Sequence, residues 1–186
     1  MMSDQTNPGI VNWLTRRQAI TGAGIAFGAM ALDVTKAWAE IEQEISRTAE
    51  SIHQEISFKA SRKRVYEALT ETKQFDKVIE LAGGNSPALG SKPTNISTQL
   101  GGAFTLFGGH IIGRQIELIP DERIVQAWRV VDWQSGVYSI ARFELKAQGS
   151  GTRIVFNHTG FPNGLGEHLA AGWKGHYWEP LEKFLT

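Results

Sequence analysis

The chain has 186 residues, 41% apolar and 20% charged, which suits one globular domain with a buried core and excludes a disordered chain. Nineteen basic residues balance nineteen acidic ones, so bulk electrostatics favours neither nucleic acid nor an anionic membrane. The chain has no cysteine, which excludes a disulfide frame, thiol catalysis and cysteine-ligated metal.

Residues 15–21 read TRRQAIT, and an uncharged run rich in Gly and Ala follows from Ala19 to Leu32. Ala37-Trp38-Ala39 then places small residues at the two positions a signal peptidase reads. Basic pair, apolar stretch and A-x-A site in that order predict an export signal over residues 1–39. The apolar run is too short for a hydrocarbon core of ~30 Å, so no permanent membrane span is expected. Arg16-Arg17 after Thr15 resembles a twin-arginine (Tat) signal, with Ile20 where a Leu-like residue is usual. Ala19 and Thr21 depart from the usual Phe and Lys of that pattern. The resemblance implies a bacterial protein delivered folded to the periplasm or beyond, with the Tat translocase as a partner. The alternative is a buried N-terminal helix or an uncleaved anchor. Cleavage after Ala39 removes three basic and two acidic residues and leaves a net charge of −1. Residues 40–51 are polar and read as a linker.

Ile52, Ile56 and Phe58 alternate with His53, Glu55 and Ser57, the pattern of a half-buried strand. Ser61 is a good N-cap, with Val65, Ala68 and Leu69 following at helical spacing. A second helix fits Thr72 to Leu81, with Phe75, Val78 and Ile79 as its apolar face. Residues 82–93 are rich in Gly, Ser, Asn and Pro and predict a long loop. The period then becomes two: Ile96 to Leu100, Ala103 to Phe107, His110 to Ile119, Arg123 to Val131, Tyr138 to Gln148 and Thr152 to Thr159 read as strands. Gly101-Gly102, Gly108-Gly109, Pro120-Asp121-Glu122 and Gly149-Ser150-Gly151 supply the turns. Tight turns between regular strands indicate an antiparallel meander. From Gly164 to Thr186 the period changes again: Leu165, Leu169, Trp173, Tyr177, Leu181 and Leu185 fall at four-residue steps, an apolar stripe on a helix of about six turns. Inside that helix Pro180 removes the bond to the carbonyl of His176 and predicts a kink. The order β, α, α, about six β, long α defines an α+β domain, with the antiparallel sheet wrapped around the C-terminal helix.

The segments IHQEISFKASRKRVYEALTE (52–71), GGAFTLFGGHIIGRQIELIPDERIVQAWR (101–129), GTRIVFNHTGFP (151–162) and GWKGHYWEPL (172–181) resemble the START-like (SRPBCC) superfamily. Within it they look like the branch named for the C-terminal domain of the heat-shock-protein-90 ATPase activator. The resemblance covers about residues 52–186. It implies a helix-grip fold, in which a seven-stranded antiparallel sheet grips a long C-terminal helix over a mostly apolar cavity. An exported protein does not meet a cytosolic chaperone, so chaperone activation is not the expected role despite the branch's name.

Trp173 and Tyr177, one turn apart on the stripe, are either cavity lining or ordinary core. The ligand-facing candidates are Phe104, Trp128, Tyr138, Arg142, Phe156, His158, Leu169, Trp173 and Tyr177. Arg142 shares a face with Ile140 and Glu144. Inward, Arg142 and Glu144 would anchor a ligand's polar end; outward, they are solvated sheet charges. His158 is either a cavity-mouth group or a hydrogen-bonded structural histidine. His168 and His176 lie eight residues apart on one helix, roughly 12 Å between Cα atoms, too far to share an ion. No HExxH, carboxylate triad, GxGxxG or Walker loop is present, so no metal or cofactor is expected.

The leading expectation is therefore an exported START-like domain that binds a small apolar or amphipathic ligand between sheet and helix. An enzyme of the cyclase or hydratase kind, using His158, Tyr138 or Arg142 for acid–base work, is the second. A periplasmic protein-interaction module is the third.

Overall fold

Side chains alternate along a strand, and a chain with one apolar side every second residue can bury that side only by pairing into a sheet. The computed structural model describes residues 50–83 and 90–186. The signal positions Arg16, Arg17, Ala37 and Ala39 lie outside them, as do most of the linker and the middle of the 82–93 loop.

Seven strands form one antiparallel sheet: β1 Ser51–Phe58, β2 Asn95–Ile96, β3 Ala103–Leu106, β4 Ile111–Ile119, β5 Arg123–Val130, β6 Ser139–Gln148 and β7 Gly151–Thr159. The order across it is β1-β7-β6-β5-β4-β3-β2, a meander whose last strand pairs back with the first. On β6 the inward set is Ser139, Ala141, Phe143 and Leu145; on β7 it is Thr152, Ile154, Phe156 and His158. The expected strand over Ile96–Leu100 stops at Ile96. Beyond it Ser97 N–H reaches Ala103 O, Gly102 N–H reaches Gln99 O and Gly101 N–H reaches Gln115 O, so the chain spends its hydrogen bonds on turning, and Leu100 is left 70% exposed. β4 carries a bulge at Ile116, which re-aims the strand between Gln115 and Glu117. Gly113 sits opposite Trp128, and a Cβ there would collide with the Phe104 ring and the Ala127 carbonyl, so glycine is needed for that ring to lie flat on the sheet.

Helices α1 (Arg62–Thr70) and α2 (Thr72–Leu81) follow β1. The Ser61 hydroxyl caps α1 by accepting from Arg64 N–H at 3.3 Å. Val65, Ala68, Leu69, Phe75, Val78 and Ile79 face the core. The Thr72 hydroxyl accepts from Ile96 N–H at 2.9 Å and so ties β2 to the start of α2.

The C-terminal helix runs in three segments: α3 Gly166–Trp173, a π turn Lys174–Trp178 and α4 Glu179–Leu185. The π turn lies directly ahead of Pro180, where the sequence predicts a kink. Glu179 N–H bonds to Lys174 O, five residues back, and Pro180 then falls in the first turn of α4, where a missing N–H costs little. The wider turn also moves the apolar face. Tyr177 and Trp178, which a regular helix would point about 100° apart, are both buried, with Trp173 and Leu181 on either side. The Glu50 carboxylate holds the start of α3, accepting from Gly164 N–H at 2.9 Å and Gly166 N–H at 3.1 Å. Gln54 on β1 holds the middle: its amide donates to Ala170 O at 3.1 Å and accepts from the Trp178 indole at 2.6 Å.

Removing the Glu50 cap tests this anchoring. Glu50→Ala is expected to lower stability in urea unfolding by about 1–2 kcal/mol, and Glu50→Gln by less, because an amide oxygen still accepts.

Candidate functional site

The inner faces of β4 and β5 and one side of the C-terminal helix do not close completely. They leave a cavity of about 420 Å³ lined by Phe107, His110, Ile111, Trp128, Val130, His168, Leu169, Ala171, Gly172, Trp173, His176 and Tyr177. Both walls follow from period. Trp128 and Val130 are two apart on β5, and Leu169, Trp173 and Tyr177 are four apart on the helix. Beside the helical stripe, His168, Gly172 and His176 form a second four-residue series along the same side. Gly172 leaves open space, since a Cβ there would meet nothing within 4 Å. Phe107 enters the lining on a left-handed backbone (φ 50°), followed by Gly108 and Gly109 at 66° and 99°. That strained run lays its ring 5.4 Å from Tyr177 and 6.0 Å from His176.

The aromatic residues form one network with Trp173 at its centre. Its ring lies 4.2 Å from Tyr177, 4.4 Å from Phe156, 5.5 Å from Trp128 and 5.7 Å from Trp178. Beneath it runs a chain of buried hydrogen bonds. The Trp173 indole donates to His158 Nδ1 at 2.9 Å, His158 Nε2 meets the Ser139 hydroxyl at 2.6 Å, and that hydroxyl donates to the Trp128 carbonyl at 2.8 Å. An indole N–H is only a donor, so Nδ1 is the acceptor and the imidazole proton sits on Nε2. His158 therefore donates to Ser139, which rules out Ser139 as a nucleophile activated by this histidine. His158 has no exposed surface, and burial pushes its pKa down to about 3.

Of the nine residues expected to face a ligand, Trp128, Leu169, Trp173 and Tyr177 meet around the cavity. Phe156 is fully buried one layer deeper, against Trp173, and His158 lies there with it. Phe104 lines a separate void of about 10 Å³ that also touches Gln126 and Tyr177. Gln126 donates to Gln115 at 3.3 Å, and the Gln115 amide nitrogen, also buried, has no partner among the described residues. Two placements need correcting. Arg142 is on the outer face, because the inward residues of β6 are the odd-numbered ones. There it pairs with Glu144, whose carboxyl is held at about 2 by hydrogen bonds from Lys146 and Arg142. Tyr138 is 44% exposed and stacks under the Arg129 guanidinium at 5.5 Å, while Arg129 donates to the carbonyls of Val130, Val131 and Trp133. The groups proposed for acid–base work thus do not converge. The lining residues missed from the sequence are mainly His110, Ile111, Val130, His168, Ala171, Gly172 and His176. The signal for the helical ones was the 168–172–176 series running beside the stripe. Among the described residues, no group of three or more His, Asp or Glu is placed to hold a metal ion, and no helix is long and apolar enough to cross a membrane.

A seven-stranded antiparallel sheet closed over a C-terminal helix with a cavity between them is the helix-grip architecture. Residues 59–186 match the family described as activator of Hsp90 ATPase homolog 1-like protein, and the chain belongs to that family. The relatives include a Dictyostelium discoideum activator of 90 kDa heat shock protein ATPase homolog, 37% identical over 75 residues, which are 40% of this chain and 20% of that protein. The chain spans about a quarter of the length of the first curated relatives it matches. Among solved structures, an HSP90 activator from Plasmodium falciparum superposes with a TM-score of 0.63 at 22% identity, covering 73% of this chain and 95% of that one. CalU16 from Micromonospora echinospora superposes with a TM-score of 0.59 at 19% identity, covering 74% and 77%. At these identities the likeness speaks for the fold.

The histidine makes a pH prediction with a definite sign. The unfolded chain takes a proton on His158 below about pH 6.5, whereas the folded chain refuses it down to about 3. Protons thus favour the unfolded state across that window. Stability is expected to be flat in this respect above pH 6.5 and to fall by up to ~1.4 kcal/mol per pH unit below it. Urea melts between pH 7 and 5, above the range where Glu144 titrates, measure the slope. His158→Gln should start less stable and show a shallower slope.

Proposed function

We propose that the chain is an exported binding protein that holds a small apolar or amphipathic molecule between its sheet and its C-terminal helix. The observation that carries this reading is the cavity of about 420 Å³, whose walls are ring faces and aliphatic side chains with three histidines among them. That volume falls in the range of small-molecule sites, ~300–1,000 Å³. Binding is favoured over catalysis because the most shifted histidine is enclosed behind Trp173 with both ring nitrogens engaged. Export rests on the Arg16-Arg17 pair, the apolar run and the Ala37–Ala39 site, and it separates the chain from the cytosolic chaperone that its relatives' names invoke.

Filling the cavity tests the binding reading. Gly172→Leu adds a side chain into open space and removes a helical glycine, so folding stability should hold or rise slightly. Binding of the apolar fluorophore N-phenyl-1-naphthylamine should weaken about tenfold or more, read by fluorescence titration. Equal binding by both proteins would contradict the assignment of the cavity. For export, residues 1–40 fused to a Tat-dependent reporter should lose delivery when Arg16-Arg17 becomes Lys-Lys, and undiminished delivery would remove Tat from the account.

A further inference from the structure

Three histidines line the cavity, His168 and His176 exposed and His110 partly so, and the polar groups on its buried lining residues are of one kind. Trp128 on β5 and Tyr177 in the π turn both line it. The Trp128 indole N–H reaches the Tyr177 hydroxyl oxygen at 3.5 Å, the outer limit of a hydrogen bond. An indole nitrogen has nothing to offer but its proton. The Tyr177 hydroxyl is buried and its own proton finds no acceptor among the described residues. Burial also raises its pKa, which keeps that proton in place. Two residues of the lining therefore carry adjacent buried donors, one weakly paired and one without an acceptor among the described residues, and buried donors without acceptors are costly.

The walls around these donors are flat. Trp173 lies 4.2 Å from Tyr177 and 5.5 Å from Trp128, and Phe107 lies 5.4 Å from Tyr177. A carbonyl oxygen has two lone pairs and can accept from both donors at once. A carboxylate would have to shed its hydration among rings, with two neutral donors in return, and burying a charge on those terms is unfavourable.

We propose that the cavity's ligand is a planar aromatic carbonyl compound, an aryl ketone or quinone. Its ring packs against the aromatic wall formed by Trp173, Phe107 and Tyr177, and its oxygen is received jointly by the Trp128 N–H and the Tyr177 O–H. The proposal rests on the cavity-binding reading above and narrows it to a chemical class.

Three probes added to the full chain separate its parts: 2-acetonaphthone, 2-ethylnaphthalene, which lacks the oxygen, and 2-undecanone, which lacks the ring. Acetonaphthone should bind about tenfold tighter than either of the others, which is the worth of a hydrogen bond to otherwise unpaired donors. Tyr177→Phe and Trp128→Phe should each shrink acetonaphthone's advantage over ethylnaphthalene several-fold. In the unsubstituted protein, acetonaphthone but not ethylnaphthalene should move the Trp128 indole N–H resonance downfield, which serves even where a variant folds poorly. Equal affinity for the two naphthalenes, or an indole resonance that ignores the ketone, would overturn the carbonyl assignment and leave cavity binding standing. Undecanone binding as tightly as acetonaphthone would overturn the aromatic assignment. Failure of all three probes and of N-phenyl-1-naphthylamine would bring down the binding reading with it.

Discussion

The hydrogen bond from the Trp173 indole to His158 Nδ1, 2.9 Å long, is the contact on which the rest of this structure depends. It joins the middle of the C-terminal helix to the end of β7, two elements otherwise held by apolar contact alone at that point. Apolar contact fixes how much surface is buried but not which rotamer buries it, whereas a buried hydrogen bond is directional. Here it sets the Trp173 ring at one angle and the His158 tautomer in one state. The tautomer in turn fixes the direction of the Ser139 hydroxyl, which donates to the Trp128 carbonyl across the β5–β6 ladder. One donor on the helix thus orients groups on three strands. The ring held this way is the wall that keeps the cavity from filling.

The helix can make this contact and still close the core because of the π turn. A regular α-helix offers one apolar stripe, and a stripe that carried Trp173 and Tyr177 to the cavity would leave Trp178 pointing elsewhere. The extra residue in the turn lets Trp178 stack on Trp173 at 20° between planes while Tyr177 keeps its place beside Phe107 and Phe75. Gln54 then collects the Trp178 indole N–H and the Ala170 carbonyl, so the widened turn is pinned from β1. Pro180 belongs to the same device. It cannot continue a regular helix, and the π turn ahead of it is the local solution that costs least. π turns recur at functional sites, and this one places Tyr177 where it borders both the main cavity and the small void beside Gln126.

Much of this architecture was legible in the residue pattern. The two short helices, six of the seven strands and the long C-terminal helix follow from periods of 3.6 and 2, which act over many residues and are hard to disguise. The strand at Ile96–Leu100 was not, because its alternation is outvoted by hydrogen bonds that close a turn onto Ala103 and tie Gly101 to Gln115 on β4. Face parity explains the site in the same way. Leu169, Trp173 and Tyr177 were readable as one surface because they share a helix, as Trp128 and Val130 share a strand. Arg142 and Tyr138 were not placeable, since one residue of register on β6 decides which set of side chains turns inward. His158 was visible as a residue at the end of a strand, but the tautomer that disarms it depends on Trp173, fifteen residues away and on another element. The π turn left no trace beyond Pro180 itself, because hydrogen bonding one residue out of step is a choice made by the packed core.

The central claim is that the gap beneath the C-terminal helix is a ligand site and not slack in the core. Native mass spectrometry of the protein purified from the cell that makes it addresses this most directly, since the molecule at issue is whatever that cell supplies. The account predicts a non-covalent adduct of one small molecule per chain that is missing from the Gly172→Leu protein. Unadorned mass for both proteins, or the same adduct on both, would contradict it.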